Sequence, residues 1–386
     1  MSASAPRDRH YGLDWLRIGA FALLIGYHVG MVFAPWHWVV KWPETVPALI
    51  PPMALLTPWR IPLLFVVSGF ATRKLIARTS DLRGFAHGRS LRLMVPVAFA
   101  LLVLLPPEMW VRVRLAGDPD SFPTFWMGDY WSPIVHYGAA FPNWEHLWFV
   151  VYLWAYTMVL AALVGAAGAA RIQGWFERIA DGRGLAIWPV AGLAGAKLAL
   201  LFVVPETHGL TTDWAGHAAY FPLFLFGFAL GGSPLLWAGI ARSWRPALAL
   251  AVPCAAITVW SELTWQGDAV PGHAVMAIDR ASRLAMAWGV VVALLRLADV
   301  HLNRDHPLRA PLGEAVFPAY LIHQPVIVVL AWWAPVLGLS PAASFVFLFG
   351  ATALSCAAFY LIGREIGWLR PLIGLAPAPA IKSLAA

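Results

Sequence analysis

The sequence predicts an all-α fold: a polytopic integral membrane protein with about ten transmembrane helices and both termini in the cytoplasm. Three observations carry this prediction. Of 386 residues, 60% are hydrophobic and only 12% charged, with a mean hydropathy of +0.68, far from a soluble domain. Apolar runs of bilayer length recur along the chain, at residues 15–33, 53–71, 91–111, 146–165, 185–204, 214–231, 246–262, 282–297, 316–333 and 341–363. The loops between them alternate in charge. One set holds Arg7, Arg9 and Arg17, then Arg73, Lys74, Arg78, Arg83, Arg89 and Arg92, and later Arg171, Arg178, Arg183, Arg242, Arg245, Arg296, Arg304, Arg309, Arg364, Arg370 and Lys382. The other set holds only Lys41, Arg112, Arg114, Arg280 and Arg283. Cations gather in short cytoplasmic loops, so this split orients the chain and requires an even number of spans.

Composition also excludes several classes. The net charge of +7 comes from topology-setting loops and does not argue for nucleic acid. Cys254 and Cys356 fall inside apolar runs, so neither a disulfide framework nor a metal cluster is expected. HExxH, CxxC, GxGxxG and P-loop patterns are absent. The first apolar run ends without a small-residue cleavage site and is expected to remain as an anchor. The chain reads as a single membrane-embedded domain over residues 1–375, followed by a flexible cytoplasmic tail over 376–386.

The first span, LDWLRIGAFALLIGYHVGMVF, carries Asp14 and Arg17 at one end and His28 well inside. Residues eleven apart on a helix differ by about 20° in direction, so Arg17 and His28 share a face about 16 Å apart along the axis. Asp14 lies within about 40° of the same line. A span that keeps its ionisable groups on one stripe points them at protein or water, because lipid penalises each of them. Helix-end anchoring and function are both open for Asp14 and Arg17; for His28 function is favoured.

Further along, Arg60 sits between Pro58 and Pro62, which favour a broken or kinked helix start. A buried guanidinium there suits a carboxylate; an arginine reaching to the outer interface is the other reading. Ser68-Gly69 reads as a small-residue contact between helices rather than a nucleophile. Arg89 and Arg92, three apart, are neighbours on one helical face and suit phosphate, or they enforce topology and touch anionic lipid. The outward segment 112–145, with Asp118, Asp120, Asp129 and many aromatics, reads as a folded cap. His146 follows Glu145 at the start of the fourth span, and either contacts substrate or hydrogen-bonds in the interface. The ninth span places Tyr320 and His323 on one face just before Pro325, which frees a backbone carbonyl. Both are candidate substrate contacts; a histidine satisfied by that backbone is the alternative. Salt bridging accounts for Glu262, Asp268, Asp279, Arg280 and Arg283 on the outer side.

LDWLR…H in the first span, PLLFVVSGF in the second, RxxR at Arg89–Arg92, HLWFV in the fourth and YLIHQP in the ninth, in this order over nearly the whole chain, resemble the acyltransferase-3 family of integral membrane O-acyltransferases. Within that family the chain is most similar to the branch that succinylates periplasmic glucans. The resemblance implies a multi-pass protein of the bacterial inner membrane with no bound cofactor. It implies transfer of an acyl group, acetyl or succinyl, from cytoplasmic acyl-CoA to a hydroxyl of an extracytoplasmic glycan. It makes His28 the catalytic candidate, with Asp14 as a second, and assigns donor binding to Arg17, Arg89 and Arg92. Arg60, His146, Tyr320 and His323 are left as substrate-binding candidates. A histidine as general base and a covalent acyl-histidine relay both fit. A transporter or flippase is the competing class; no repeat between the two halves supports it.

Overall fold

The computed structural model of the protein describes residues 10–132, 142–200, 207–267 and 269–377. Arg7, Arg9, Glu206, Asp268 and Lys382, part of the outward segment (133–141), and the tail from residue 378 onward lie outside the described residues. All the regular elements described are helical. In chain order they are α1 (Tyr11–Phe33), α2 (Ile50–Ile76), α3 (Leu82–Phe99), α4 (Pro106–Leu115), α5 (Phe122–Met127), α6 (Trp148–Ala167), α7 (Ala169–Ile179), α8 (Gly184–Leu200), α9 (Trp214–Leu230), α10 (Pro234–Thr264), α11 (His273–Leu297), α12 (Arg309–Trp333), α13 (Pro341–Glu365) and α14 (Leu369–Leu372). Eight helical stretches among the described residues are long and apolar enough to cross a membrane. The shorter apolar helices α8 and α9 stand where the fifth and sixth spans were expected. The protein is an all-α, polytopic membrane protein.

The helices overrun the apolar stretches that announce them. α3 begins at Leu82 and takes in Arg83, Arg89 and Arg92; α10 begins at Pro234 rather than near 246. An apolar run marks hydrocarbon depth, whereas a helix continues until its end groups find caps. Two starts are built by the same device. The Ser233 and Ser340 hydroxyls accept from the backbone N–H of Leu236 and Ala343, and a proline follows at the first helical position.

The chain falls into two compact units: Met1–His37, Glu44–Ala86 and Ala155–Gly313 form the first, and Trp38–Pro43, His87–Trp154 and Glu314–Ala386 the second. In the first unit α2 packs on α9. At Gly69 an added Cβ would overlap the Phe224 carbonyl, and at Gly227 it would overlap that of Val66. The small-residue contact expected at Ser68-Gly69 is therefore real, and its other half is Gly227. Prolines inside the helices release carbonyls that side chains then satisfy. Pro189 cannot donate to Leu185, and the buried Trp288 indole does so instead at 2.6 Å, joining α11 to α8.

In the second unit, Pro106 ends the α3 stretch. The backbone widens to a π-helical turn over Ala100–Leu104, where Leu105 N–H bonds Ala100 rather than Leu101. The carbonyls set free are taken by the outward segment: the Tyr130 hydroxyl donates to Leu101 at 2.6 Å and the Trp126 indole to Leu102 at 3.2 Å. Met109, Val113, Phe125 and Tyr130 form a small core there, so the described part of the expected cap is a folded substructure.

Candidate functional site

His28 lies in α1 eleven residues beyond Arg17, in an unbroken helix, so the two share a face as the spacing requires. It is half-buried, and its ring sits 5.9 Å from that of Tyr27. Tyr27 is also covered by Arg60, whose guanidinium carbon stands 3.6 Å from the centre of the phenol ring. The expectation of a broken helix start at Arg60 is corrected: α2 begins at Ile50 and runs unbroken through Pro58 and Pro62. Within a membrane such prolines are accommodated when other groups take up the freed backbone. The carbonyls freed here are those of Ala54 and Pro58; side chains of the same helix bond their neighbours, Thr57 donating to Met53, Trp59 to Leu55 and Arg60 Nε to Leu56 at 3.0 Å.

Arg60 is thus buried mid-helix, with 4% exposure. Thr57 is hydrogen-bonded to the Tyr27 hydroxyl at 3.2 Å, which helps to hold the ring in place. Arg60 Nη1 has no hydrogen-bond partner, and no carboxylate pairs with the guanidinium, among the described residues. A ring face offsets part of the cost of burying this charge, and an anionic group would offset more. Tyr27 was not singled out from the sequence; an aromatic beside an intramembrane histidine was the available signal.

At the other end of α1, Arg17 donates to the Gly313 carbonyl at 2.9 Å. Asp14 accepts from Arg309 at 2.9 Å; Arg309 is also held by Asp305 at 2.7 Å and lies over the Tyr11 ring. The first turn of α1 is a favourable place for the Asp14 charge, and its carboxylate ties that turn to the start of α12. Arg309 was read from the sequence as one topology cation among many. In the second unit, Arg89 is half-buried and Arg92 exposed, one turn apart on α3.

A second polar cluster, also in the second unit, gathers His146, Tyr320 and His323. Carbonyls only accept, so both imidazoles donate to Tyr320 O: His146 through Nε2 at 3.0 Å and His323 through Nδ1 at 2.7 Å. The Tyr320 hydroxyl returns a bond to the His146 carbonyl. The rings of the two histidines are 5.0 Å apart. Both histidines are thus bonded to backbone, at Tyr320 and not at Leu321, whose carbonyl is the one that Pro325 frees. His146 Nδ1 is buried with no partner among the described residues.

Beside this cluster, Gln324 donates to the fully buried Glu108 at 2.7 Å, and Arg112 pairs with Glu145 at 3.0 Å. Glu145 holds φ at +38°, a left-handed conformation that costs a residue with a Cβ and is kept only where neighbours enforce it. Glu108 and Gln324 were missed in the sequence, although a lone carboxylate inside an apolar run is itself a signal.

Helices of membrane length carrying a half-buried imidazole beside a phenol ring and a buried guanidinium define a polytopic membrane protein with a polar site within its helices. The chain matches the acyltransferase domain of the acyltransferase-3 family over residues 10–361 and belongs to that family. Among characterised proteins it is similar to glucans biosynthesis protein C of Escherichia coli, for example of strain K12 and of strain SMS-3-5. Each is 25% identical over 151 residues, which are 38% of this chain and 37% of the relative. The chain therefore matches little more than a third of the length of these relatives. No solved structure matches it.

Proposed function

We propose that the protein is an O-acyltransferase of the bacterial inner membrane that moves an acyl group, acetyl or succinyl, from cytoplasmic acyl-CoA to a hydroxyl of an extracytoplasmic glycan. One observation supports the reading beyond the family: a half-buried imidazole, His28, and a buried guanidinium, Arg60, both lie against the ring of Tyr27. In this mechanism neutral His28 accepts the proton of the acceptor hydroxyl as its oxygen attacks the thioester carbon. The carbonyl oxygen becomes an oxyanion, the carbon–sulfur bond then breaks, and the CoA thiolate takes the proton back from the imidazolium. Arg89 and Arg92 belong to the donor's phosphates, as does Arg17 at the cytoplasmic end of α1. The distance of about 16 Å from Arg17 to His28 is one that an extended pantetheine arm can cover. Asp14, paired with Arg309, is a positioning residue for that end of α1. His146, Tyr320 and His323 are proposed acceptor-side contacts, of which His146 Nδ1 is the nitrogen left for a ligand. The name of the Escherichia coli relatives supports a glucan as the acceptor.

The deciding experiment incubates the purified protein with labelled acyl-CoA and a glycan. Label appearing on the glycan supports the reading; a protein that moves glycan or acyl donor across a vesicle membrane without forming an ester overturns it. Two sets of variants sharpen the test. Arg89→Gln and Arg92→Gln are expected to raise the KM for acyl-CoA about tenfold each, with little change in the acceptor KM, as loss of a charge-assisted hydrogen bond would do. Equal donor affinity in wild type and variants would return both arginines to topology. Arg60→Ala is expected to reduce succinyl transfer more than acetyl transfer, because a free carboxylate is the natural partner for its unpaired nitrogen. An unchanged succinyl-to-acetyl ratio would restrict Arg60 to supporting Tyr27.

A further inference from the structure

The C-terminal end of α10 and the first turns of α11 line an open cavity of about 210 Å³ in the first unit. Its wall includes Glu262, Trp265, Asp279, Arg280 and Arg283. Salt bridging explains part of this group. Arg283 donates to Glu262 at 2.5 Å and to Asp279 Oδ2 at 2.7 Å, and the Trp36 indole donates to the second oxygen of Glu262 at 2.8 Å. Among the carboxylate oxygens of the wall it leaves one over. Asp279 is 8% exposed and lines the cavity, and its Oδ1 has no hydrogen-bond partner among the described residues. A buried carboxylate oxygen without a donor costs free energy that a hydroxyl or water in the cavity would restore.

We infer that this cavity is a binding subsite for one ring of a neutral carbohydrate. Three features favour that class. The wall carries two carboxylates and two guanidinium groups, so its charges balance and favour neither an anion nor a cation. The buried carboxylate oxygen left without a donor, Asp279 Oδ1, can accept from a sugar hydroxyl. Trp265, half-buried at the mouth and set edge-on by Trp260 at 5.0 Å, offers an aromatic ring of the kind that packs on the apolar face of a sugar. The distribution of Lys and Arg places the turn between α10 and α11 on the extracytoplasmic side, where an extracytoplasmic glycan is found. The subsite rests on the proposed acceptor being a glycan, and adds where its chain is held while one hydroxyl is acylated elsewhere.

Titration calorimetry of the purified full-length protein with linear β-gluco-oligosaccharides tests the inference in the absence of acyl-CoA. Wild type is expected to bind, and Asp279→Asn and Trp265→Ala are each expected to weaken binding about tenfold or more. The acceptor KM should rise in parallel while the donor KM stays constant. Trp265→Ala sits at the rim and removes no ion pair, so it keeps the test valid if Asp279→Asn fails to fold. Oligosaccharide affinity unchanged in both folded variants overturns the subsite. So does calcium binding at Asp279 in place of sugar, read by the same titration with calcium chloride. Sugar binding that depends on Asp279 and Trp265, in a protein that transfers no acyl group to any glycan, would support the subsite and refute the proposed reaction separately.

Discussion

His28→Gln is expected to abolish acyl transfer, lowering kcat by about 10²–10⁴-fold, with the protein still folded, inserted and able to bind acyl-CoA. Glutamine retains a hydrogen-bonding side chain of similar reach but cannot take up the proton released by the attacking hydroxyl. His28→Ala should be as inactive for the same reason. Near neutral pH an imidazole is the side chain best suited to that exchange. In the first unit its ring lies beside that of Tyr27, which the Arg60 guanidinium also covers. The measurement is single-turnover transfer from labelled acyl-CoA, alongside donor affinity for wild type and both variants. If His28→Gln kept most of its activity, the imidazole would be structural and His323 would become the residue to replace next.

Gly69→Val is expected to lower the midpoint of thermal unfolding in detergent sharply, by a stability loss of about 3 kcal/mol or more. The methyl groups would have to enter the space of the Phe224 carbonyl and the Phe228 amide, which are backbone atoms of α9 and cannot rotate away. Gly227→Val meets the Val66 carbonyl from the other side, so the two variants should behave alike. Without a hydrophobic drive between helices in lipid, close backbone approach is what holds such a pair together. Gly350→Ala is the control, because nothing lies within 4 Å of the added carbon. A midpoint unchanged by Gly69→Val would mean that α2 and α9 are held by other contacts.

The all-α membrane class and the order of the spans were legible in the amino-acid sequence. Both depend on the length and polarity of local runs, which the bilayer reads one segment at a time. So was the common direction of Arg17 and His28, because helical pitch alone sets the direction of residues on one unbroken helix. The glycine contact at Gly69 was legible as a small-residue step, although its partner Gly227 was not. Groups brought together from distant parts of the chain emerged only with the folded structure. Asp14 meets Arg309, Glu108 meets Gln324, and Asp279 and Glu262 meet one arginine. The broken helix start at Arg60 was misjudged for the same reason. Two prolines argue locally for a broken helix, yet side chains of the same helix satisfy neighbouring carbonyls and Tyr27 covers the guanidinium, so the helix runs on and the charge is buried. Local rules set the cost of a proline or a charge in a membrane; whether that cost is met depends on neighbours that only the fold supplies.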